Sequence, residues 1–119
     1  MSLAPNTIIC DIDGTLVEHA NPHESSKPSY TMKMLDGTIE KLLEWEKKGY
    51  YIILLTGRKE SLRQVTVQQL SKAGIFYDQL IMGVGGGVRY LINDNKPAGE
   101  VAAFAINVER NKGISNISL

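Results

Sequence analysis

The apolar run Thr7-Ile8-Ile9-Cys10 leads directly into Asp11-Ile12-Asp13-Gly14-Thr15, and this junction constrains the fold more than any other part of the chain. A short buried strand that ends in two aspartates and then turns sharply sets both carboxylates at one edge of a sheet. In open α/β sheets, ligands bind at the edge formed by the strand carboxyl ends. Acids this close repel each other unless a cation or a shared proton intervenes, so the pair points to chemistry more than to stability. The competing reading is an Asx turn that closes the strand, with Gly14 supplying the bend. Successive strand residues face opposite ways, so Cys10 should face away from Asp11 and act as a small buried core residue.

Strand and helix patterns alternate along the rest of the chain. The first strand is expected over Ile8 to Asp11, and a polar loop or flap from about Val17 to Met34. Leu35, Ile39, Leu42 and Leu43 recur at helical spacing, with Asp36 as N-cap and Gly49 as the stop. Tyr50 to Leu55 is a near-continuous apolar strand of the kind found where helices cover both faces of a sheet. A second helix places Leu62, Val65, Gln69, Leu70 and Ala73 on one face and ends at Gly74. Further strands are expected within Tyr77 to Met82, Arg89 to Ile92 and Ala102 to Val108. Such alternation predicts an α/β fold: a single doubly wound, Rossmann-like domain over residues 1–119 with a mainly parallel five-stranded sheet.

Composition narrows the partners. With 119 residues there is room for one core, and 43% hydrophobic with 22% charged residues is ordinary globular composition. Thirteen basic residues balance thirteen acidic ones, so no net field steers the chain to nucleic acid or anionic lipid; no nucleic-acid and no membrane partner is expected. No apolar run is long enough to cross a bilayer, and one cysteine cannot form an internal disulfide, which together suggest a cytoplasmic protein.

Two later motifs fall where this fold would place chemistry. Leu54-Leu55-Thr56-Gly57-Arg58 offers a hydroxyl and an accessible glycine N–H at a strand end, a pair able to hold two phosphoryl oxygens. Arg58 either touches substrate or is a solvated or ion-paired residue at the opening of a helix. Leu91-Ile92-Asn93-Asp94-Asn95-Lys96-Pro97 would bring a third acid, Asp94, near Asp11 and Asp13 and complete an oxygen-rich Mg2+ site.

In this order the three motifs resemble those of the haloacid dehalogenase-like hydrolases, in particular phosphatases without a large cap domain. The resemblance covers nearly the whole chain. It implies that Asp11 attacks phosphorus to form an aspartyl-phosphate, and that Asp13 protonates the leaving oxygen and then activates water. It implies Mg2+ held by the Asp11 carboxylate, the Asp13 backbone carbonyl and Asp94. Thr56 and the Gly57 N–H would orient the transferring group. The family's usual lysine after the third strand is missing from Met82-Gly83-Val84-Gly85-Gly86-Gly87-Val88-Arg89. Lys96, ahead of Arg89, is the expected replacement; Lys72 lies on the expected second helix.

The expected function is therefore a Mg2+-dependent phosphatase acting on a small phosphorylated metabolite, by analogy a sugar phosphate. A short chain has little to close its site, so a homo-oligomer is expected to supply the cover, through the loop from Glu18 to Lys33 or the tail with Arg110 and Asn111. One alternative is a catalytically impaired phosphate-binding protein of the same type, given the missing lysine. A phosphoacceptor receiver-like domain would need an acid after the third strand, where Met82 to Gly87 has none. His19 and His23 are expected to be surface residues, and Arg110 and Asn111 to contact either substrate or a neighbouring subunit.

Overall fold

The computed structural model describes residues 4–119, so the first three positions of the expected 1–119 domain lie outside the described residues. Strand β1 (Thr7–Asp11) is followed by a short helix α1 (Pro22–Ser25), helix α2 (Thr38–Lys47) and strand β2 (Tyr51–Leu55). A 3-10 turn at Glu60–Leu62 then leads into helix α3 (Arg63–Ala73), and strand β3 (Gln79–Ile81) ends the regular elements. The strands form a parallel sheet in the order β1-β2-β3, with Cys10 opposite Leu54 and Leu54 opposite Leu80. Backbone bonds from Ile12 N–H to Leu55 O and from Thr56 N–H to Ile81 O carry the ladder one residue beyond the strands.

Ile8, Cys10, Ile52, Leu54 and Leu80 project from one sheet face into the core, where they join Leu42 and Trp45 of α2 and Leu70 of α3. The opposite face is open: Ile9 is 51% exposed, Tyr51 44% and Ile81 36%. Strand order explains this asymmetry. Consecutive right-handed crossovers that advance in one direction set their helices on the same side, and the second side is covered only after the winding reverses past the first strand.

That reversal does not occur among the described residues, and this corrects the sequence expectation. The α/β class with its parallel sheet stands, but the sheet has three strands rather than five. The expected strands at Arg89–Ile92 and Ala102–Val108 are irregular; Ile92 is 94% exposed and Phe104 78%. β-branched and aromatic residues form strands only where a neighbouring strand and a packed face receive them. Here the glycine-rich stretch from Gly83 to Gly87 leads the chain away from β3. The Cα radius of gyration, 15.1 Å, reflects this excursion; a packed domain of this length is expected near about 13.5 Å.

Helix α2 also starts differently from expectation. Gly37, at φ 86°, occupies the N-cap in place of Asp36, and no side chain caps the helix. The Asp36 carbonyl instead accepts the Ile114 N–H at 2.9 Å, and Ile114 is buried. The last residues thus fold back over the start of α2. Thr38, also buried, donates its hydroxyl to the Leu16 carbonyl at 2.6 Å and ties α2 to the turn after β1. No helix among the described residues is long and apolar enough to cross a membrane.

Candidate active site

Ladder geometry sets the site. Asp11 ends β1 on the open sheet face, opposite to buried Cys10, while Ile12 turns fully into the core and Asp13 emerges beyond it. Gly14, at φ 88°, makes the bend: its N–H donates to Val17 O at 2.7 Å, and the next amides close onto Ile12 O. The two carboxylates therefore stand half-exposed at the carboxyl edge, as the sequence predicts. Burial, and secondarily the Asp11 charge, pushes the Cys10 thiol up to about 12, so it remains protonated and inert.

Each acid has its own arginine. Arg58 Nη2 reaches Asp13 Oδ1 at 3.0 Å and its Nε reaches Oδ2 at 3.3 Å, a two-point grip. Arg58 is only 8% exposed, and its Nη1 donates to Gln69 Oε1 at 2.6 Å and to Thr66 Oγ1 at 3.4 Å. Arg89 Nη1 meets Asp11 Oδ1 at 3.2 Å, and the Thr15 hydroxyl donates to the other Asp11 oxygen at 3.4 Å.

Several expected site residues take other places. Thr56 is fully buried; its hydroxyl donates to Asp13 Oδ2 at 3.3 Å and accepts the Arg58 N–H at 3.1 Å. It positions the second acid, and the hydroxyl expected on a phosphoryl oxygen is thereby occupied. Gly57 is exposed, and its missing side chain lets the Val84 carbonyl come close: an added Cβ would lie 3.0 Å from it. Of the readings open for Arg58, substrate contact or a solvated or ion-paired residue, the structure shows the ion pair, and the side chain is nearly buried rather than at the surface. Asp94 and Lys96 lie in the exposed excursion, where Asn93 Nδ2 bonds Asp94 O and Lys96 N–H bonds Glu100 O. Among the described residues no third His, Cys, Asp or Glu joins the two acids in a metal-binding group. An irregular segment without a sheet neighbour has nothing to hold Asp94 at the edge. Of the two candidates for the missing lysine, Arg89 reaches the site and Lys96 does not.

Sequence reading missed Gln69 and Tyr30. Gln69 is buried on α3 and donates from Nε2 to Ser25 O at 2.9 Å and Lys27 O at 3.2 Å, while its oxygen holds Arg58. A glutamine on an otherwise apolar helix face was the available signal. Tyr30, on the flap, has its phenol pushed up by partial burial; the charges of Arg58, which lowers it, and of Asp13, which raises it, also act there. His19 and His23 are exposed, as expected. Arg110 and Asn111, far along the chain, return to the Gly14 turn: Asn111 N–H donates to Gly14 O at 2.9 Å.

The model of the polynucleotide kinase PNKP phosphatase domain, a haloacid dehalogenase-type family, matches residues 5–89. The chain belongs to that family. A match of this span includes Asp11, Asp13, Thr56, Gly57, Arg58 and Arg89. Among solved structures, this PNKP-type domain is similar to a chain of the Pnkp1/Rnl/Hen1 complex, 30% identical over 75% of this chain and 31% of that one, with a TM-score of 0.57. A chain of the Pnkp1/Rnl/Hen1 RNA repair complex is 32% identical over 71% and 28%, also at 0.57. The domain thus spans less than a third of those two chains. A structural-genomics protein from Vibrio cholerae shares the fold at 20% identity and a TM-score of 0.53, over 78% of this chain and 85% of that one. Comparison with curated proteins gave no match.

Family membership bears out the haloacid dehalogenase-like resemblance and the expected phosphoric monoester hydrolase class. It overturns the expectation of no nucleic-acid partner, which rested on balanced charge. Net charge sums the whole surface, whereas an anionic chain is met by the local field of one edge.

Proposed function

We propose that this domain removes the terminal phosphate of a polynucleotide through an aspartyl-phosphate on Asp11. The observation that carries the reading is the pair Asp11 and Asp13 at one sheet edge, each with its own guanidinium, in a PNKP-type phosphatase domain. The Asp11 carboxylate attacks phosphorus, and the ester bond breaks as Asp13 gives its proton to the leaving oxygen. Asp13 then takes a proton from water, whose oxygen attacks the phosphoryl-aspartate and releases phosphate and free Asp11. Arg58 and Thr56 hold Asp13 in place for both proton transfers. Arg89 lies where it neutralises Asp11 against the incoming phosphate, the task of the missing lysine.

Mg2+ fits this donor set in part. The Asp11 carboxylate and the Asp13 carbonyl are hard oxygens, and Mg2+ is usually held by one or two carboxylates together with substrate oxygens and water. Asp94 is not brought to them. When bound, Mg2+ would screen the anionic nucleophile from the anionic ester.

The test is phosphate release from oligonucleotides phosphorylated at the 3′ or the 5′ end, with and without Mg2+. Turnover with one of them, lost in Asp11→Asn and in excess EDTA, is expected, with acid-stable trapping of phosphate on the wild type only. Normal turnover in Asp11→Asn would sink the mechanism, and failure with both oligonucleotides would sink the substrate.

A further inference from the structure

The tail turn beside Gly14 carries an arginine that the catalytic scheme leaves unused. Asn111 has φ 62°, the positive φ of a non-glycine residue among those described. Such a backbone is uncommon outside glycine and persists where surrounding contacts hold it. Here the contacts are specific. Asn111 N–H donates to Gly14 O at 2.9 Å, and Asn111 Oδ1 accepts the His19 N–H at 2.8 Å. Buried Ile114, bonded to Asp36 O, anchors the segment from the other side. The result lays Arg110 across the Gly14 turn, where a Cβ added to Gly14 would stand 3.3 Å from Arg110 Cγ and 3.9 Å from its Nε.

Charge matching leaves this arginine over. Asp11 pairs with Arg89 and Asp13 with Arg58, so each acid already has a guanidinium partner. Arg110 is exposed and takes part in none of the ion pairs among the described residues. It packs against Gly14, the residue that follows Asp13, the proposed donor to the leaving oxygen. We infer that Arg110 binds a second anionic group on the leaving-group side of the substrate. In a polynucleotide that group is the phosphodiester adjoining the terminal phosphate. A guanidinium suits it, since its fork can meet two oxygens of a phosphodiester at once. This inference rests on the proposed phosphatase chemistry but not on the polynucleotide substrate.

The experiment compares two pairs of substrates that differ by one anionic group. One pair is an end-phosphorylated dinucleotide and the corresponding nucleoside monophosphate; the other is a hexose bisphosphate and a hexose monophosphate. The wild type is expected to favour the more anionic member in kcat/KM. Arg110→Ala should lose about tenfold of that preference, mostly through KM, as expected for one charge-assisted contact. Arg110→Lys should restore part of it, and the monophosphates should be hydrolysed by all three proteins at similar rates. A preference confined to the hexose pair and lost in Arg110→Ala supports Arg110 and overturns the polynucleotide reading. A preference that survives Arg110→Ala, or equal losses on both members of a pair, overturns the role of Arg110. A wild type that hydrolyses none of the four overturns both.

Discussion

Arg58 grips Asp13 through two nitrogens, Nη2 at 3.0 Å and Nε at 3.3 Å, while its third nitrogen is bound to Gln69. All three arms of the guanidinium are therefore committed, and the side chain is almost closed to solvent. A planar fork fixed in this way sets the position and the orientation of the carboxylate together. The proposed acid–base group is thus held from β2 and α3, although it emerges from the end of β1.

Replacing Arg58 should damage fold and turnover together. Arg58→Ala leaves the Asp13 carboxylate and the Gln69 oxygen without their partner, a change expected to cost about 3 kcal/mol for a largely buried pair. Arg58→Lys keeps the charge but loses the fork, and should recover stability better than turnover. Urea melts and phosphate release on the same samples check this; equal recovery of both by Lys would contradict a positioning role.

Gln69→Leu is expected to loosen the flap. The substitution removes the bonds to Ser25 O and Lys27 O and the acceptor for Arg58. Leaving those buried groups unpaired should cost about 2 kcal/mol. Hydrogen exchange at residues 22–30 should quicken by more than exchange in β2. Uniform acceleration across the chain would show that Gln69 serves only general packing.

Alkaline pH should destabilise the protein through Cys10. The thiol is raised from 9.0 to about 12 in the fold, so between these values the native state holds a proton that the unfolded state has released. Stability is complete below pH 9 and falls toward pH 12, with a slope of up to about 1.4 kcal/mol per pH unit. Cys10→Ala should flatten the fall in that window, as read from denaturation midpoints at stepped pH. Parallel curves for the two proteins would rule the thiol out.

Gly37→Ala should free the tail. Gly37 is at φ 86°, and an added Cβ would lie 2.6 Å from the Ser115 backbone. The strain and the clash together should cost about 2 kcal/mol. Limited proteolysis after residue 108 should speed up before the rest of the chain is cut. An unchanged cleavage pattern would mean that the tail docks independently of this corner.

What was readable in the sequence was local. The strand ends at Asp11 and Leu55 follow from apolar runs that stop at acids or at Thr-Gly, and the stops at Gly49 and Gly74 follow from glycines at positive φ. Asp11 and Asp13 were legible because both belong to one turn. The partners of those acids were not. Arg58 reaches Asp13 across 45 positions and Arg89 reaches Asp11 across 78, distances over which no periodicity in the sequence carries information. The same limit explains Ile92 and Phe104: their propensity for strand is plain, but whether a neighbouring strand receives them is a tertiary matter. Asp36 reads as a cap from its type alone, whereas its carbonyl is taken by Ile114 from the far end of the chain.

The open sheet face has a thermal consequence. Ile9, Tyr51 and Ile81 already meet water in the folded chain, as do Ile92 and Phe104 further along. Unfolding therefore hydrates less new apolar surface than the length implies, and the heat-capacity increment should fall below the about 12–15 cal/mol/K per residue of well-covered domains. A smaller increment flattens the curve of stability against temperature, so this chain should melt over a broad range and resist cold better than its modest core suggests.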